Sequence, residues 1–351
     1  MRKRILIVRL SSIGDTIQGT PVARQIKRAH PDCHLTWVVQ PLALPCIQHN
    51  PHLDEIVVLD VPRPESWLEL WRRVRGQYDI TVDLQCLLKS GLVTWVANSP
   101  VRIGRAEGRE GSRLFHTHLV PSSGDQHYIS QIYLEQCAGL GLDRDDYVPE
   151  VFVGPEDRAA AAALWRELDL KEGTPVVALL PFASTPRREW PMERFAEVGD
   201  RLAAETGVRC MIFGSRGERH RADQLAAKMK SAPLVIAGRT SLSLAIACLQ
   251  RCRLALGNDS GLVHCAYALG TPVVCLLGRS PLHKGPTSDR AITLFSPCEF
   301  RPCLNLQECK LGAGCHCQCA ITGDQTLDAC RRMLGTQSAE EDREQFVDPL
   351  H

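Results

Sequence analysis

The sequence predicts an α/β protein of two Rossmann-like, doubly wound domains, each with a parallel β-sheet covered by helices. Short apolar runs rich in Val, Ile and Leu alternate with helical segments, and this alternation starts again after about residue 150. The chain has 351 residues, which is more than one hydrophobic core usually supports. We therefore expect two domains facing a cleft, with ligands bound at the carboxyl ends of the strands.

The first series of elements opens with a β-rich run, RILIVRL at residues 4–10. A helix is predicted over residues 16–29, in which Pro21 marks a kink or a restart because proline cannot donate a helical hydrogen bond. A helix rich in Trp and Arg is predicted at 67–76. The other strands of this series are predicted at 35–39, 55–59 and 80–84. This β-α-β order predicts a parallel sheet.

The second series follows an Ala-rich helix predicted at 155–169. Its strands are predicted at 175–180, 209–213, 234–237, 253–256 and 272–277. Its helices are predicted at 192–206, 219–230, 241–251, 262–269 and 327–334. We therefore expect an N-terminal domain at 1–160, a C-terminal domain at 161–334 and a loose acidic tail at 335–351.

Charge and hydropathy argue against two classes of protein. Lys and Arg number 41 and Asp and Glu number 40, so the net charge of +1 does not suggest a nucleic-acid-binding protein. The first apolar run is short and interrupted by Arg9, unlike a secretory signal, and no run of about 18 apolar residues could span a membrane. We expect a cytoplasmic protein that contacts a membrane peripherally at most.

Sixteen cysteines are many for this length, and in a cytosolic protein they are expected as thiols or ligands rather than disulfides. Nine are scattered up to Cys275, several in apolar segments, and are expected to fill the core. The other seven lie between Cys298 and Cys330, most of them in a Cys-rich loop at 298–319. No Cys-x-x-Cys pair occurs there, so we expect thiols and no metal; a structural zinc or iron–sulfur site is the alternative.

The first motif, Ser11-Ser12-Ile13-Gly14-Asp15, follows the opening strand. Gly14 permits the close approach of a ligand or of backbone. Asp15 could cap the following helix, or it could act as a general base, because an Asp carboxylate is ionised at neutral pH. No Gly-x-Gly-x-x-Gly pattern is present here, so a dinucleotide fingerprint is absent.

The second motif, Gly257-Asn258-Asp259-Ser260-Gly261-Leu262-Val263-His264, also lies between a predicted strand and a helix. Backbone N–H groups and the helix dipole at such a start favour a diphosphate. Ser260 and Gly261 suit the close approach of a ligand, and His264 lies one turn into the helix on the same side. The alternative is a helix capped by Asp259 or Ser260, with His264 in the core.

The third motif, Pro186-Arg187-Arg188-Glu189-Trp190-Pro191, follows the opening strand of the second series. Two adjacent arginines beyond a strand end can neutralise the charge of a departing phosphate. The alternative is a solvated surface loop.

At these three places the sequence resembles glycosyltransferase family 9, the ADP-heptose:lipopolysaccharide heptosyltransferases. The family pattern S-S-x-G-D, followed by T-P, corresponds to residues 11–15 and 20–21. The family pattern D-[ST]-G-x-x-H corresponds to residues 259–264, and K-x-W-P corresponds to residues 188–191, with Arg188 where the family usually has lysine. The similarity extends from residue 4 to about residue 330. It implies the GT-B architecture, in which two Rossmann-like domains face a cleft.

The resemblance implies an inverting transfer of heptose from ADP-heptose to the inner core of lipopolysaccharide, either Kdo-lipid A or a heptosylated core. Asp15 would be the general base, and Arg188 would stabilise the departing ADP. No metal or other cofactor is implied, because basic groups and a helix dipole would neutralise the diphosphate. The residues implied in donor binding are Ser12, Asp259, Ser260, Gly261 and His264.

The acceptor implied by the resemblance is anionic, so a basic N-terminal domain is expected. Peripheral contact with the inner face of the inner membrane would follow from such a substrate. Five arginines of this half are the candidate acceptor ligands: Arg63, Arg102, Arg105, Arg109 and Arg113. The alternative for each is an arginine that only faces solvent.

Two alternatives stay open from the sequence. One is a family 9-like glycosyltransferase with a different donor or acceptor. The other is a non-catalytic nucleotide-sugar-binding protein with a Cys-rich metal site. The combination of Asp15 with the motif at 259–264 argues against an inactive protein, and the missing Gly-rich fingerprint argues against a nicotinamide oxidoreductase.

Overall fold

The computed structural model describes residues 2–123, 128–278, 285–286, 288–296 and 316–344. The chain divides into two compact units, Met1–Phe152 and Val153–His351. The boundary expected at 160/161 passes through the helix Pro155–Glu167, which lies wholly in the second unit. Each unit has its own buried apolar cluster.

In its described residues, the first unit contains a six-stranded parallel sheet with the order β3-β2-β1-β4-β5-β6. Its strands are β1 (Arg4–Val8), β2 (His34–Val39), β3 (Glu55–Val58), β4 (Ile80–Asp83), β5 (Val101–Arg105) and β6 (His118–Val120). Its α-helices are α1 (Ile13–Gln18), α2 (Thr20–Ala29), α3 (Pro64–Val74), α4 (Leu88–Ala97) and α5 (Ile129–Gln136). Short 3-10 helices lie at Pro41–Cys46, Ser112–Phe115 and Ala138–Leu140.

β1 lies at the centre of this sheet because strands pair with it on both sides. Ile7 is level with Trp37 of β2 on one side and with Val82 of β4 on the other. The β1 side chains from Ile5 to Val8 are fully buried, as a parallel sheet with both faces covered requires. The apolar run that opens the sequence is therefore the central strand.

The helix expected at 16–29 is two helices. α1 ends at Gln18, and α2 begins at Thr20 with Pro21 in its first turn. Proline is favourable there because the first N–H groups of a helix have no helical acceptor. The restart predicted at Pro21 is confirmed.

In its described residues, the second unit also contains a six-stranded parallel sheet, with the order β12-β11-β10-β7-β8-β9. Its strands are β7 (Val176–Leu180), β8 (Arg209–Ile212), β9 (Leu234–Val235), β10 (Leu254–Asn258), β11 (Val273–Leu277) and β12 (Ala291–Phe295). Its α-helices are α6 (Pro155–Glu167), α7 (Met192–Thr206), α8 (Arg219–Lys228), α9 (Leu242–Gln250), α10 (Gly261–Ala268), α11 (His316–Cys319) and α12 (Gly323–Glu344). Short 3-10 helices lie at Pro186–Arg188 and Arg216–Glu218.

Numbered within its own unit, each sheet has the same order, 3-2-1-4-5-6, which is that of a doubly wound Rossmann fold. The predicted fold class, two Rossmann-like α/β domains, is confirmed. Among the described residues, no helical segment combines the length and the apolar character that a membrane span needs.

Several elements were missed by the sequence patterns because they are only partly buried. β5 contains two arginines and β6 begins with His118, and their side chains are mostly half-buried or exposed. β12 is half-buried along its length. α12 runs to Glu344 rather than ending at 334, since Gln, Ala, Glu and Arg favour helix. The rest of the expected tail, 345–351, lies outside the described residues.

Candidate active site

The strand order determines where each unit can bind a ligand. In the order 3-2-1-4-5-6 the crossovers change direction between strands 1 and 4, and the loops after these two strands separate and leave a crevice. These strands are β1 and β4 in the first unit, and β7 and β10 in the second. The three sequence motifs follow β1, β7 and β10, so each motif lies at a switch point.

Asp15 is in the first turn of α1, just beyond β1. Its Oδ2 accepts a hydrogen bond from Ser12 Oγ at 2.9 Å and forms an ion pair with Arg9 Nη2 at 2.8 Å. The side chain of Asp15 is 29% exposed, and that of Arg9 is 7% exposed. The protein thus fixes one carboxylate oxygen from the inside while the side chain still reaches solvent.

Arg9 is a site residue to which the sequence interpretation gave no role. Its Nη1 donates to the carbonyl oxygen of Leu84 at 2.9 Å, and its guanidinium carbon lies 5.4 Å from the centre of the Tyr133 ring. Burial by itself lowers the pKa of Arg9, but Tyr133 and the carboxylate of Asp15 raise it more, so the net shift is upward. Arg9 is therefore a permanent buried cation. An arginine in an otherwise apolar strand run was the signal that could have identified it.

Lys89 lies in the first turn of α4, next to the same loop. Its Nζ donates to Ser11 Oγ at 2.9 Å and lies 3.5 Å from Gln40 Oε1. Partial burial and the charge of Arg9 lower the pKa of Lys89, and Glu110 offsets part of this shift. A cation at a helix N-terminus opposes the helix dipole. At the start of α4 the carboxylate of Glu110, which accepts the backbone N–H of Leu88 at 3.2 Å, offsets part of this effect. The sequence interpretation gave Lys89 no role.

A buried cluster lies at the end of β4, where ligand atoms of Asp83, Cys86 and His116 lie within 4.8 Å of one another. The Asp83 carboxylate already has four partners. Its Oδ1 accepts the backbone N–H groups of Gln85 and Cys86, each at 2.9 Å. Its Oδ2 accepts from Ser90 Oγ at 2.9 Å and lies 3.1 Å from His116 Nε2. Burial raises the pKa of Cys86 to about 12, so the thiol stays protonated. This cluster fastens the loop after β4 and offers little to a metal.

Asp259 and His264 form a buried pair at the start of α10. His264 Nε2 lies 3.2 Å from Asp259 Oδ1, and both residues are almost fully buried. Ser260 is the N-cap of the helix, but its side chain makes no capping hydrogen bond. The pair therefore braces the first turn of α10 from inside, and the partly exposed Ser260 and Gly261 form its outer side.

Asn258, the last residue of β10, joins two loops of the second unit. It is fully buried; its Nδ2 donates to the carbonyl oxygen of Pro181 at 2.6 Å, and its Oδ1 accepts the backbone N–H of Trp190 at 2.9 Å. Trp190 is buried, donates through Nε1 to the carbonyl oxygen of Ile321 at 2.9 Å, and packs edge-on against Phe195 with 5.1 Å between ring centres. The third motif is thus anchored to β10 by its tryptophan.

Arg188 ends the 3-10 helix Pro186–Arg188, and its backbone is fixed on both sides. Its N–H donates to the carbonyl oxygen of Thr185 at 2.9 Å, and its own carbonyl oxygen accepts from the Gln318 amide. Within the parts of the chain that the structure describes, the Arg188 guanidinium has no hydrogen-bond or ion-pair partner. Arg188 is therefore suited to binding a ligand, because its backbone is fixed while its guanidinium forms no bond with the described residues.

Glu189 is a second residue of this loop to which the sequence gave no role. It is buried, accepts the backbone N–H of Ala183 at 3.1 Å and forms an ion pair with Arg221. The guanidinium carbon of Arg221 lies 4.9 Å from the centre of the Phe182 ring, and the hydrogen bond to Glu189 raises the pKa of Arg221. This pair closes the loop between β7 and α7 into a fixed shape.

Arg102 is not placed as an acceptor ligand would be. It is the second residue of β5, towards the strand's N-terminal end, whereas the motifs lie at the carboxyl ends. Its Nε donates to the carbonyl oxygen of Phe115 at 2.8 Å, and its Nη1 donates to that of Ser99 at 2.7 Å. The guanidinium of Arg102 therefore serves to connect backbone segments.

The other candidate arginines lie at the expected edge of the first sheet. Arg105 is the last residue of β5, and its Nε is buried and has no hydrogen-bond partner among the described residues. Arg63 precedes α3 in the segment that follows β3, and it is exposed. Arg109 and Arg113 are exposed beyond β5. Arg105 and Arg63 are thus better placed to meet a ligand than Arg102 is.

The cysteine expectation is confirmed for the nine residues up to Cys275, all of which are buried free thiols. In the C-terminal group, Cys317 and Cys330 are buried and Cys319 is partly buried. The four cysteines between 298 and 315 lie outside the described residues, and so does most of the Cys-rich loop.

Comparison with known proteins identifies the family. The sequence signature described as glycosyltransferase family 9 (heptosyltransferase) matches residues 67–312, which include the motifs at 186–191 and 257–264. Lipopolysaccharide heptosyltransferase 1 of Pseudomonas aeruginosa is 28% identical to this chain over 327 residues, covering 85% of this chain and 88% of that protein.

Solved structures show the same fold. A family 9 glycosyltransferase from Veillonella parvula has a TM-score of 0.82 and 24% identity, with 95% of this chain and 97% of that chain covered. The E. coli heptosyltransferase WaaC, solved with ADP-2-deoxy-2-fluoro heptose, has a TM-score of 0.67 and 20% identity, with 97% and 99% covered. The two α/β sheets are thus those of the GT-B fold. Since the family signature spans well over half of its length, this chain belongs to glycosyltransferase family 9.

Proposed function

We propose that this enzyme transfers a heptose from ADP-heptose to the inner core of lipopolysaccharide, with inversion at the anomeric carbon. One observation carries the proposal: each unit has a chemically suited group at its switch point. The first has the carboxylate of Asp15 held by a buried cation, and the second has an anion-suited helix start after β10 and Arg188 in the loop after β7. The heptosyltransferase names of the relatives support the choice of donor and acceptor.

The donor is proposed to bind to the second unit. Backbone N–H groups at the start of α10, together with its dipole, attract a diphosphate. Arg188 adds a positive charge that no described residue neutralises. We propose that Ser260 and Gly261 contact the nucleotide and that the buried Asp259–His264 pair supports them from behind. No metal is required in this proposal, because these groups compensate the charge that develops on departing ADP.

Asp15 is proposed as the general base. An acceptor hydroxyl oxygen bonds to the anomeric carbon while its proton passes to the Asp15 carboxylate. The bond from that carbon to the diphosphate oxygen breaks, and its electron pair leaves with ADP. Attack opposite the leaving group inverts the configuration without a covalent enzyme intermediate. Ser12 was expected at the donor site, but its hydroxyl donates to Asp15, so we assign it to positioning the base.

The acceptor is proposed to bind to the first unit through its anionic groups. Lys89 lies next to the Asp15 loop, where its Nζ donates to Ser11 Oγ and lies 3.5 Å from Gln40 Oε1. Arg105 and Arg63 follow the carboxyl ends of their strands at the same sheet edge. Arg102 is left out because its guanidinium binds backbone carbonyls. Since the acceptor is lipid-linked, we also propose that the enzyme works in peripheral contact with the inner face of the inner membrane.

Asp15→Asn tests the base directly. We expect ADP affinity to stay within about twofold and the turnover number to fall by about 100-fold or more, because the amide cannot accept the proton. Calorimetric titration with ADP, UDP and GDP and a transfer assay with ADP-heptose measure both. Arg188→Ala is the matched control and should weaken ADP binding by about tenfold.

The transfer assay also decides the proposal as a whole. An inverted anomeric configuration in the product, determined by NMR, is expected. Preference for UDP or GDP over ADP would overturn the donor assignment, and undiminished turnover of Asp15→Asn would remove Asp15 from the role of base.

A further inference from the structure

Two exposed tryptophans mark a surface of the first unit that the catalytic proposal does not use. Scattered exposed apolar side chains are ordinary, whereas clustered ones indicate an interaction site. Trp71 is 47% exposed and Trp95 is 58% exposed, and they lie on α3 and α4, which pack against each other. Leu68 of α3 and Leu88 of α4 are 48% and 46% exposed. We call these four side chains the α3–α4 patch.

Helical spacing places the α4 members of the patch on one face. Leu88 and Trp95 are seven residues apart, which is two helical turns. Val93 and Ala97 are buried in the core under this helix. Trp95 is two residues from Val93, about 200° around the helix, so it points away from the core.

The same reasoning applies to α3. Leu70 and Val74 are buried in the same core cluster. Leu68 is two residues before Leu70 and so points away from the core, and Trp71, three residues after Leu68, is its neighbour on the helix surface. Both helices therefore present apolar side chains to the outside of one layer.

The C-terminal end of α3, next to Trp71, is basic. Arg72, Arg73 and Arg75 lie there, whereas the two glutamates of this helix, Glu65 and Glu69, lie towards its other end. Arg72 and Arg75 are exposed, and the Arg75 guanidinium carbon lies 5.9 Å from the centre of the Trp71 ring. Tryptophan and leucine bordered by arginine is the composition of helices that lie in a membrane interface.

We propose that the α3–α4 patch docks this enzyme on an anionic membrane surface. Trp71 and Trp95 insert at the level of the lipid headgroups, and the neighbouring arginines contact lipid phosphates. Charge complementarity selects a lipid surface over a second copy of the chain, whose matching patch would bring like charges together. The inference rests on the proposed function only in that a lipid-linked acceptor requires the enzyme to reach a membrane.

Tryptophan fluorescence gives a direct test. The other four tryptophans are buried or half-buried, namely Trp37, Trp67, Trp165 and Trp190. A change in emission on adding lipid therefore reports mainly on Trp71 and Trp95. The full-length protein is titrated with vesicles of equal parts phosphatidylcholine and phosphatidylglycerol, and with vesicles of phosphatidylcholine alone. We expect a blue shift and at least about tenfold tighter binding with the anionic vesicles, weakened by added salt.

The variant Trp71→Ser/Trp95→Ser should lose the blue shift and bind anionic vesicles about tenfold more weakly in a sedimentation assay. Val148→Ser removes an apolar side chain that is also exposed, at 42%, but lies outside the patch, so it is the matched control and should bind like wild type. Because both tryptophans are surface residues, circular dichroism should confirm that the double variant folds.

Two acceptors separate the docking inference from the proposed function. The double variant should transfer sugar normally to a water-soluble, deacylated acceptor and poorly to the same acceptor embedded in anionic vesicles. If the wild-type protein transfers sugar but does not bind vesicles, the inference is overturned and the proposed function stands. Vesicle binding without transfer to either acceptor would leave the inference and overturn the function. The inference would also be overturned if the wild-type protein self-associated without binding vesicles and the double variant no longer self-associated.

Discussion

At the scale of single residues, the Arg9–Asp15 ion pair has two opposing effects on Asp15 as the proposed base. A nearby cation favours the ionised carboxylate, and the same stabilisation makes that carboxylate a weaker proton acceptor. The ion pair also orients the Asp15 carboxylate, because Arg9 is itself fixed by the Leu84 carbonyl oxygen and packs on Tyr133. We infer that Arg9 positions the base rather than touching substrate.

Replacing this cation should change the pH dependence of catalysis. For Arg9→Met we expect kcat to fall by about tenfold or more and the acidic limb of the pH–rate profile to move to higher pH, because Arg9 and the Asp15 carboxylate stabilise each other's charged form. Arg9→Lys keeps the charge and should retain most of the original profile. If Arg9→Met lowers kcat with an unshifted profile, Arg9 has only a structural role.

Lys89 leads to a prediction at alkaline pH. Its pKa is lowered by burial and by Arg9, so it loses its charge at a lower pH than an ordinary lysine. If this charge binds the acceptor, the acceptor KM should rise as the pH increases through that lowered pKa. Lys89→Arg should remove the rise because arginine stays protonated, and Lys89→Met should show a high KM throughout. A wild-type KM that stays flat up to pH ~10 would contradict this assignment.

At the scale of elements, Asn258 connects the two loops of the proposed donor site. Asn258→Ala leaves the carbonyl oxygen of Pro181 and the N–H of Trp190 without their buried partner. We expect a loss of about 2–3 kcal/mol in the free energy of unfolding, together with weaker ADP binding, because the Arg188 loop is no longer fastened to β10. Denaturant unfolding and ADP titration measure the two effects.

Gln224→Ala, on the exposed surface of α8, provides the control for Asn258→Ala and should change neither quantity. A variant Asn258→Ala with unchanged ADP affinity would show that the loop keeps its shape through Trp190 and Glu189 alone.

Local sequence signals predicted some elements well and others poorly. The helix predicted at 192–206 is α7, Met192–Thr206, because an amphipathic run is bounded by Pro191 and by Gly207, whose φ of +72° ends the helix. β5 and β6 were missed since their half-buried side chains mix charged and apolar residues. Pattern recognition depends on burial, so it fails first at the edges of a sheet.

The candidate site shows the same limit. The motifs that follow β1, β7 and β10 could be recognised from adjacent residues, and the structure places all of them at switch points. The partners that fix them come from far along the chain, as Leu84 and Tyr133 do for Arg9. Such contacts depend on strand order, which no short window of sequence contains.

At the scale of the whole molecule, two units with separate cores should respond separately to a nucleotide. We expect calorimetry to resolve two unfolding transitions, with ADP stabilising only the one that belongs to the second unit. At a concentration about 100-fold above its dissociation constant, ADP should add about 2.7 kcal/mol to that transition. UDP is the control, and an equal shift of both transitions would contradict a donor site confined to one unit.

The central position of β1 also affects how the chain is made. During synthesis β2 becomes available to pair with β1 long before β4 does, and Val8 cannot find its partner Asp83 until β4 has emerged. At ribosomal rates this delay is roughly 4–15 s, during which one edge of an apolar strand has no neighbour. The second unit repeats the delay, since β7 waits for β10. The loop after β1 therefore cannot take its final shape until β4 has emerged, and the loop after β7 cannot until β10 has emerged. Nascent chains stalled before β4 or β10 emerges should need chaperones to avoid aggregation.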